Sequence, residues 1–422
     1  MSQLTITQAS CADDYDPNSM PVAKARAFIH QFLTPIGGVL RVPIRDALGR
    51  VLAEDVMTPM DVPAHRNSAM DGWALRAADL ASDGETTLTE IGASFAGKPF
   101  GGPVARGQCV RIMTGGVVPE GADTVVMQER AKASGKSIAF APGQRLGQNV
   151  REAGEDLKAG SVAVARGRIV RPAELGLIAS LGIGEVAVHR ALRVAFFSTG
   201  DELKGIGTTL GDGEIYDSNR YTLFGMLRRL GCEVLDMGVV RDDPAALERA
   251  FHEAAASADV VITSGGVSVG EADFVKSMLT KLGEVVFWKI AMKPGRPLAY
   301  GKIGGAHFFG LPGNPVSVMV TFYQFVRDAL LVLAGAHPVE PIPTFTAVCT
   351  ARLKKAPGRT EFQRGILSRG ASGALEVKPT GEQGSGILKS MSDANCFIIL
   401  GDATGNVEPG ASVEVQLLEG IV

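Results

Sequence analysis

The chain has no basic domain and no basic stripe. Its 42 Lys and Arg are outnumbered by 45 Asp and Glu, for a net charge of −3, and the cations occur singly or in pairs such as Arg228-Arg229 and Lys354-Lys355. The electrostatic footprint of a nucleic-acid binder is therefore missing, and the pairs read as solvated faces. The five cysteines, Cys11, Cys109, Cys232, Cys349 and Cys396, never form a C-x-x-C pair. Scattered and odd in number, they argue against a disulfide framework and a zinc ribbon. No H-E-x-x-H occurs among the six histidines. A phosphate-binding G-x-x-x-x-G-K-[ST] is absent, and no G-x-G-x-x-G follows the first strand of the α/β block, so neither a P-loop enzyme nor a dinucleotide binder is indicated. The first residues carry no basic segment followed by an apolar one, so no signal peptide is expected. The most apolar long segment, Val316 to Leu333, contains Gln324, Arg327 and Asp328 and reads as a buried helix rather than a membrane span. These absences leave a soluble protein of a reducing compartment, most simply the cytoplasm. At 422 residues it is long enough for roughly three domains.

What is present divides the chain into regions. Residues 1–19 are polar and read as disordered. Helical periodicity runs through MPVAKARAFIHQFL, and a second short helix is expected at IRDALGRVLAED. Residues 59–150 are rich in short strands between glycine and proline clusters, and they interrupt a linker domain made of residues 20–58 and 151–189. In the second half of that domain SVAVARGRIV is a strand candidate, and PAELGLIASLG is a helix with Pro172 in its first turn. From 190 to 336 strands and helices alternate. RVAFFSTG is a continuous apolar run, as expected for a strand covered on both faces. YDSNRYTLFGMLRRLG is a helix capped by Asp217, Ser218 or Asn219 and ended by Gly231. EVLDMGVV and ADVVITSGG are strands, with a helix between them that Asp243 caps and Pro244 begins. A helix from about Asp273 to Leu282, the strand VVFWKI, the hairpin-like LAYGKIGGAHFFG and the helix from Val316 follow. This is a multidomain α/β protein whose central domain is a parallel sheet with helices on both faces. Residues 340–422 carry further short strands and make a small, barrel-like β domain.

Ligands of an open parallel sheet bind beyond the carboxyl ends of its strands, and here those ends are unusual in composition. They are STGDEL (Ser198 to Leu203), VVRDDP with Asp242 and Asp243, ITSGGVSVGEAD (Ile262 to Asp273), and GLPGNPVS (Gly310 to Ser317), which opens the long helix. Small residues let backbone N–H groups approach an anion, and a following helix N-terminus adds a positive dipole. Carboxylates beside such a site suit a bridging hard cation, most simply Mg²⁺. Each feature also has a plain structural explanation: Asp243-Pro as a cap, TSGG as a tight turn, Asn314-Pro315 as a helix start. It is their convergence on one sheet that points to a phosphate-plus-magnesium site. MKPGRP places Lys293 and Arg296 around a turn just after Lys289, where they suit an oxyanion or simply solvent. In NSAMDG, Asp71 is either functional or an Asx-turn residue.

SGGVSVGEAD, MKPGRPLAYG, GLPGNPVS, NSAMDG, RIMTGG and STGDEL, in these relative positions, closely resemble the molybdopterin molybdenumtransferase family, which includes the catalytic domain of the scaffold protein gephyrin. The resemblance spans residues from about 20 to 422. It implies an elongated four-domain subunit in a homodimer, with the active cleft between the α/β domain of one subunit and the N-terminal domains of the other. It implies adenylylated molybdopterin and molybdate as substrates, Mg²⁺ as cofactor, cleavage of the phosphoanhydride and release of AMP. By motif position Asp242 and Asp273 would hold the magnesium, and Glu202 would be a further acid in the cleft. Asp71, Thr114, Arg151 and Asp156 would come from the partner subunit. Ser264, Gly265, Gly266 and Ser268 would cradle phosphates, Lys289, Lys293 and Arg296 would hold oxyanions, and Pro312 and Pro315 would shape the pocket. The resemblance also implies contact with the adenylyltransferase that supplies the substrate and with apo-molybdoenzymes. Two other activities in the same circle are adenylylation of molybdopterin and non-catalytic scaffolding. The sequence departs from the family at His65-Arg66, where phenylalanine-aspartate is usual, at Trp73 in place of tyrosine, and at Arg296 in place of lysine.

Overall fold

The computed structural model of the chain describes residues 5–8, 19–266 and 272–418. The central domain contains β1 (Arg193–Thr199), α1 (Ser218–Arg229), β2 (Glu233–Val240), α2 (Pro244–Ser257), β3 (Val260–Ser264), α3 (Ala272–Leu282), β4 (Gly283–Lys289), β5 (Pro297–Ile303), β6 (Ala306–Leu311) and α4 (Pro315–Thr321). The strands form one six-stranded sheet in the order β2-β1-β3-β6-β5-β4. The first four are parallel. β5 runs antiparallel to both its neighbours, β6 and β4, which leaves β4 in the direction of the first four, so the sheet is mixed rather than wholly parallel. The physical reason is the short Gly304-Gly305 connection between β5 and β6, which can close a hairpin but not a crossover.

Successive residues of β1 explain its unbroken apolar run. Val194 and Phe196 enter one hydrophobic core, and Ala195 and Phe197 enter another on the opposite face. The first core is closed by the long helix, which continues from α4 through a π-turn at Phe322–Val326 into α5 (Arg327–Leu333). Among the described residues this is the one helix long and apolar enough to cross a membrane, and 72% of it is buried inside the protein.

Outside this domain, Val39–Pro43 pairs with Glu185–His189, and Val56–Met57 pairs with Val162–Val164. Leu52, Val56, Val164, Val170, Ile178 and Val188 pack together behind them. The helix expected over IRDALGRVLAED is instead one 3-10 turn, Ile44–Ala47. Gly49 at φ +77° ends it, and Leu52 then enters a β-bridge with Val188, so tertiary pairing overrides the local helical period. Residues 72–140 hold a second six-stranded sheet. In the C-terminal region, Thr360–Arg369, Leu375–Pro379, Thr344–Cys349, Ser412–Leu417 and Cys396–Leu400 follow one another, and the last pairs back onto the first to close a barrel. Cys396–Leu400 and the helix Leu388–Asp393 were not expected from sequence. The disorder expected for residues 1–19 concerns positions mostly outside the described residues. Of those described, Ile6 is 2% exposed and its N–H donates to Glu284 Oε2 at 2.9 Å.

Candidate active site

Two sets of motifs come together in two places. The first lies in the N-terminal half. Asn67–Ser68 pairs with Val150–Arg151, Ala69 N–H donates to the Asn149 carbonyl, and Ser68 exchanges backbone bonds with Gly115 and Gly116. NSAMDG, RIMTGG and the start of REAGED are thereby one structure. Asp71 Oδ1 accepts from both the N–H and the hydroxyl of Thr114, each at 2.8 Å. These two donors, the backbone one first, and the nearby Arg111 hold the Asp71 carboxyl below the usual aspartate range; bonds to the charged form favour it. Arg111 itself lies 4.2 Å over the Trp73 ring and donates to Gln128 at 2.7 Å, so the family's tyrosine position carries a cation–π platform here. Asp156 follows in the same loop, with its N–H on the Val62 carbonyl and its side chain exposed. Arg66 pairs with Glu152 at 3.2 Å, so its unusual charge is answered within this cluster.

The second place is the carboxyl edge of the central sheet. β1, β3 and β6 end side by side, with Ser198 opposite Ser264 and Ser264 opposite Leu311. Gly265 N–H donates to the Leu311 carbonyl at 3.1 Å. Gly265 and Gly266 lie at φ +92° and +69°, and a Cβ on Gly265 would sit 2.6 Å from the Thr199 carbonyl oxygen. The turn therefore needs glycine both for its backbone conformation and for its close approach to β1. Thr199 Oγ1 and Ser198 Oγ are buried there without a partner. Glu202 is exposed just beyond β1. Asp243 caps α2, accepting from Ala246 N–H at 2.8 Å, which leaves Asp242 as the exposed carboxylate at the end of β2.

The MKPGRP turn joins the same edge from below. A Cβ on Gly295 would lie 2.5 Å from Thr321 Oγ1 and 3.4 Å from the Ser317 carbonyl, so the turn is pressed against α4, the helix that GLPGNPVS opens. Met292–Lys293 also pairs with Thr360 and Glu361 of the barrel, and Lys293 Nζ lies 3.5 Å from Glu361 Oε1. Lys293 is thus shared with a carboxylate rather than solely a solvent-facing cation. Lys289 is half-buried and Arg296 exposed. Pro312 is buried, and Pro315 is the first residue of α4. Asn314 does not cap α4 with its side chain; its Nδ2 donates to Ser385 Oγ at 3.0 Å. Val316 N–H donates to the Ser385 carbonyl. Behind Ser385, Arg364 is 1% exposed and donates to the Gly384 carbonyl and to Ser390 Oγ, and burial pushes its guanidinium down to about 10. The sequence reading missed Ser385 and Arg364. The GEQGSG stretch that carries Ser385 is an ordinary glycine loop until the fold places it on α4, and Arg364 lies in the strand Thr360–Arg369 behind it.

Ser268 lies outside the described residues. So does the side chain of Asp273, although its backbone is in the first turn of α3. The bonds that build the N-terminal cluster run within residues 62–156, and those that build the sheet-edge cluster within residues 198–385.

Glycine turns, carboxylates and two helix starts at the carboxyl edge of an α/β sheet, flanked by a β-rich insertion and a β-barrel, define a multidomain α/β protein with a loop-built site at its sheet edge. Three known regions match it in order: the MoeA N-terminal region (domain I and II) over residues 20–182, a probable molybdopterin binding domain over 195–332, and the MoeA C-terminal region (domain IV) over 346–418. The molybdopterin molybdenumtransferase of Haemophilus influenzae is 47% identical, covering 88% of this chain and 92% of the relative. The molybdopterin molybdenumtransferase 2 of Mycobacterium tuberculosis is 35% identical, over 89% and 94%. The crystal structure of the molybdopterin biosynthesis moeA protein from Pyrococcus horikoshii OT3 superposes with a TM-score of 0.81 at 30% identity, covering 95% of this chain and all of that one. The chain belongs to the molybdopterin molybdenumtransferase family.

Proposed function

We propose that the protein inserts molybdenum from molybdate into adenylylated molybdopterin, cleaving the phosphoanhydride and releasing AMP. The observation that carries this reading is the meeting of STGDEL, TSGG, GLPGNPVS and MKPGRP at one sheet edge. The backbone N–H of Gly266 and the positive end of the α4 dipole suit the phosphates of the substrate, the Gly265 and Val316 N–H groups being engaged by Leu311 and Ser385. Ser264 and Ser268 add hydroxyl donors, and Pro312 and Pro315 fix the wall. Lys289, Lys293 and Arg296 suit the tetrahedral dianion molybdate, with Glu361 holding Lys293 in place.

The donors at this edge are all oxygen: Asp242, the partnerless Thr199 and Ser198 hydroxyls, and by position Asp273. That set fits magnesium, a hard cation. Asp242 and Asp273 would hold it, and when bound it would neutralise charge on the anhydride oxygens, the main requirement of phosphoryl chemistry. Glu202, just beyond β1, would orient the molybdate-bearing end.

The N-terminal cluster belongs to the same reaction in this reading. Asp71, Thr114, Arg151 and Asp156 form a preassembled wall, which a second subunit would bring over the sheet edge of the first. The homodimer and a cytoplasmic location are parts of this proposal. Matches on both sides of the central domain favour the transferase over a one-domain adenylyltransferase. The test is AMP release from adenylylated molybdopterin by the purified protein, with and without molybdate and Mg²⁺. Release that needs both is expected. ATP turnover on plain molybdopterin instead would move the activity to the adenylylating step.

A further inference from the structure

Asn219 was considered in the sequence only as one of three candidate caps for α1, and the cap is Asp217, whose Oδ1 accepts from Arg220 N–H at 3.1 Å. Asn219 is 6% exposed. Its Nδ2 donates twice, to Ser264 Oγ at 2.8 Å and to the Gly313 carbonyl at 2.7 Å. These acceptors lie on two different loops, TSGG after β3 and GLPGNP before α4. Because a carbonyl can only accept, the Gly313 bond fixes which end of the amide faces the loops. Ser264 Oγ must then accept from Asn219, and its own proton is turned away from α1. One buried side chain thus sets the spacing of two loops and the direction of one hydroxyl.

We propose that Asn219 is a positioning residue for adenylylated molybdopterin: it ties TSGG to GLPGNP and presents Ser264 as a donor to the bound phosphates. This inference rests on the proposed function above. It adds a residue that touches no reacting atom and acts through Ser264 and Gly313. Its signature is a loss of substrate affinity with little change in the chemical step, because the groups around Asp242 stay where they are.

The experiment measures Kd for adenylylated molybdopterin without molybdate, then kcat and the melting temperature, for Asn219→Asp, Asn219→Ala, Ser264→Ala and both double variants. Losing one hydrogen bond to a charged ligand is worth about tenfold in Kd. Each single variant should show about that rise, and in the two Asn219 variants kcat should stay within about twofold. Asn219→Asp should be at least as weak as Asn219→Ala although it fills the same space, because a carboxylate draws the Ser264 proton toward itself. In the Ser264→Ala background either Asn219 change should cost much less than it does alone, the mark of groups acting through one another. That comparison also removes the effect of the added charge, which would persist without the hydroxyl. Fully additive losses, or a fall in melting temperature with Kd unchanged, would overturn the proposal. If Asn219→Asp does not fold, unchanged Kd in Ser264→Ala overturns it alone. Failure of the wild-type protein to bind adenylylated molybdopterin would instead strike the proposed function itself.

Discussion

The N-terminal cluster and the sheet edge both present aspartates to solvent, but they prepare them differently. Asp71 is held by two bonds from Thr114 and a guanidinium stacked on Trp73. Its charge and orientation are set before any ligand arrives. At the sheet edge the bonds hold the loops instead: Gly265 to Leu311, and Asn314 and Val316 to Ser385. There Asp242 and Glu202 are exposed just beyond the ends of strands. One region is a finished wall and the other is a set of positioned loop ends. That difference would suit the proposed two-subunit cleft, in which a surface brought in as a rigid piece needs internal order and a surface that receives phosphate and metal needs accessible groups.

Substitutions should separate the two regions by the size and kind of their effects. The largest losses are expected at the sheet edge. Asp242→Asn and Asp273→Asn should each lower AMP release on the order of 100-fold or more while leaving the melting temperature near wild type, as for removal of a key electrostatic group; steady-state assays beside thermal melts check this. Gly265→Ala should act on both activity and fold. Its methyl would meet the Thr199 carbonyl oxygen at 2.6 Å in a left-handed backbone conformation, a strain of about 1–3 kcal/mol, readable by denaturant unfolding.

In the N-terminal wall the expected effects turn on pH. Asp71 has a lowered folded pKa, so the stability it contributes is present above the ordinary aspartate pKa and is lost as pH falls through the folded value. Asp71→Asn should therefore melt below wild type at pH 7, and the gap should close under more acidic conditions than an ordinary aspartate needs. A gap independent of pH would mean that shape, not charge, holds the wall. The smallest effect belongs to Arg66→Ala. Its pair with Glu152 is 40% and 63% exposed, and such pairs contribute about 0–1 kcal/mol before salt screening. A loss well above that in unfolding experiments would show that Arg66 does more than answer Glu152.

The same contrast governs how much could be read from sequence. The sheet-edge strands were legible because each carries a simple signal: an apolar run buried on both faces in β1, a proline at the first turn of α2, glycines where the chain must turn. Asp243 as cap and Asp242 as the remaining carboxylate followed from spacing alone. What was not legible depends on contacts distant in sequence. Leu52 leaves a helical pattern to pair with Val188, and Ser385 meets Asn314 only because the barrel docks on α4. Lys293 looks like a free loop cation until Glu361 is placed beside it. The link from NSAMDG to RIMTGG was visible as motifs, but the Asp71–Thr114 bond that joins them spans 43 residues.

The most direct test of the account mixes the two lesions. Asp71→Asn and Asp242→Asn chains, each inactive alone, are co-expressed or refolded together and assayed for molybdate-dependent AMP release. If each site takes its wall from one subunit and its sheet edge from the other, half of the dimers are mixed and each regains one intact site in two, so activity should return to about a quarter of wild type. If both clusters of a site belong to the same chain, every site carries a lesion. The mixture would then stay inactive, contradicting the two-subunit cleft.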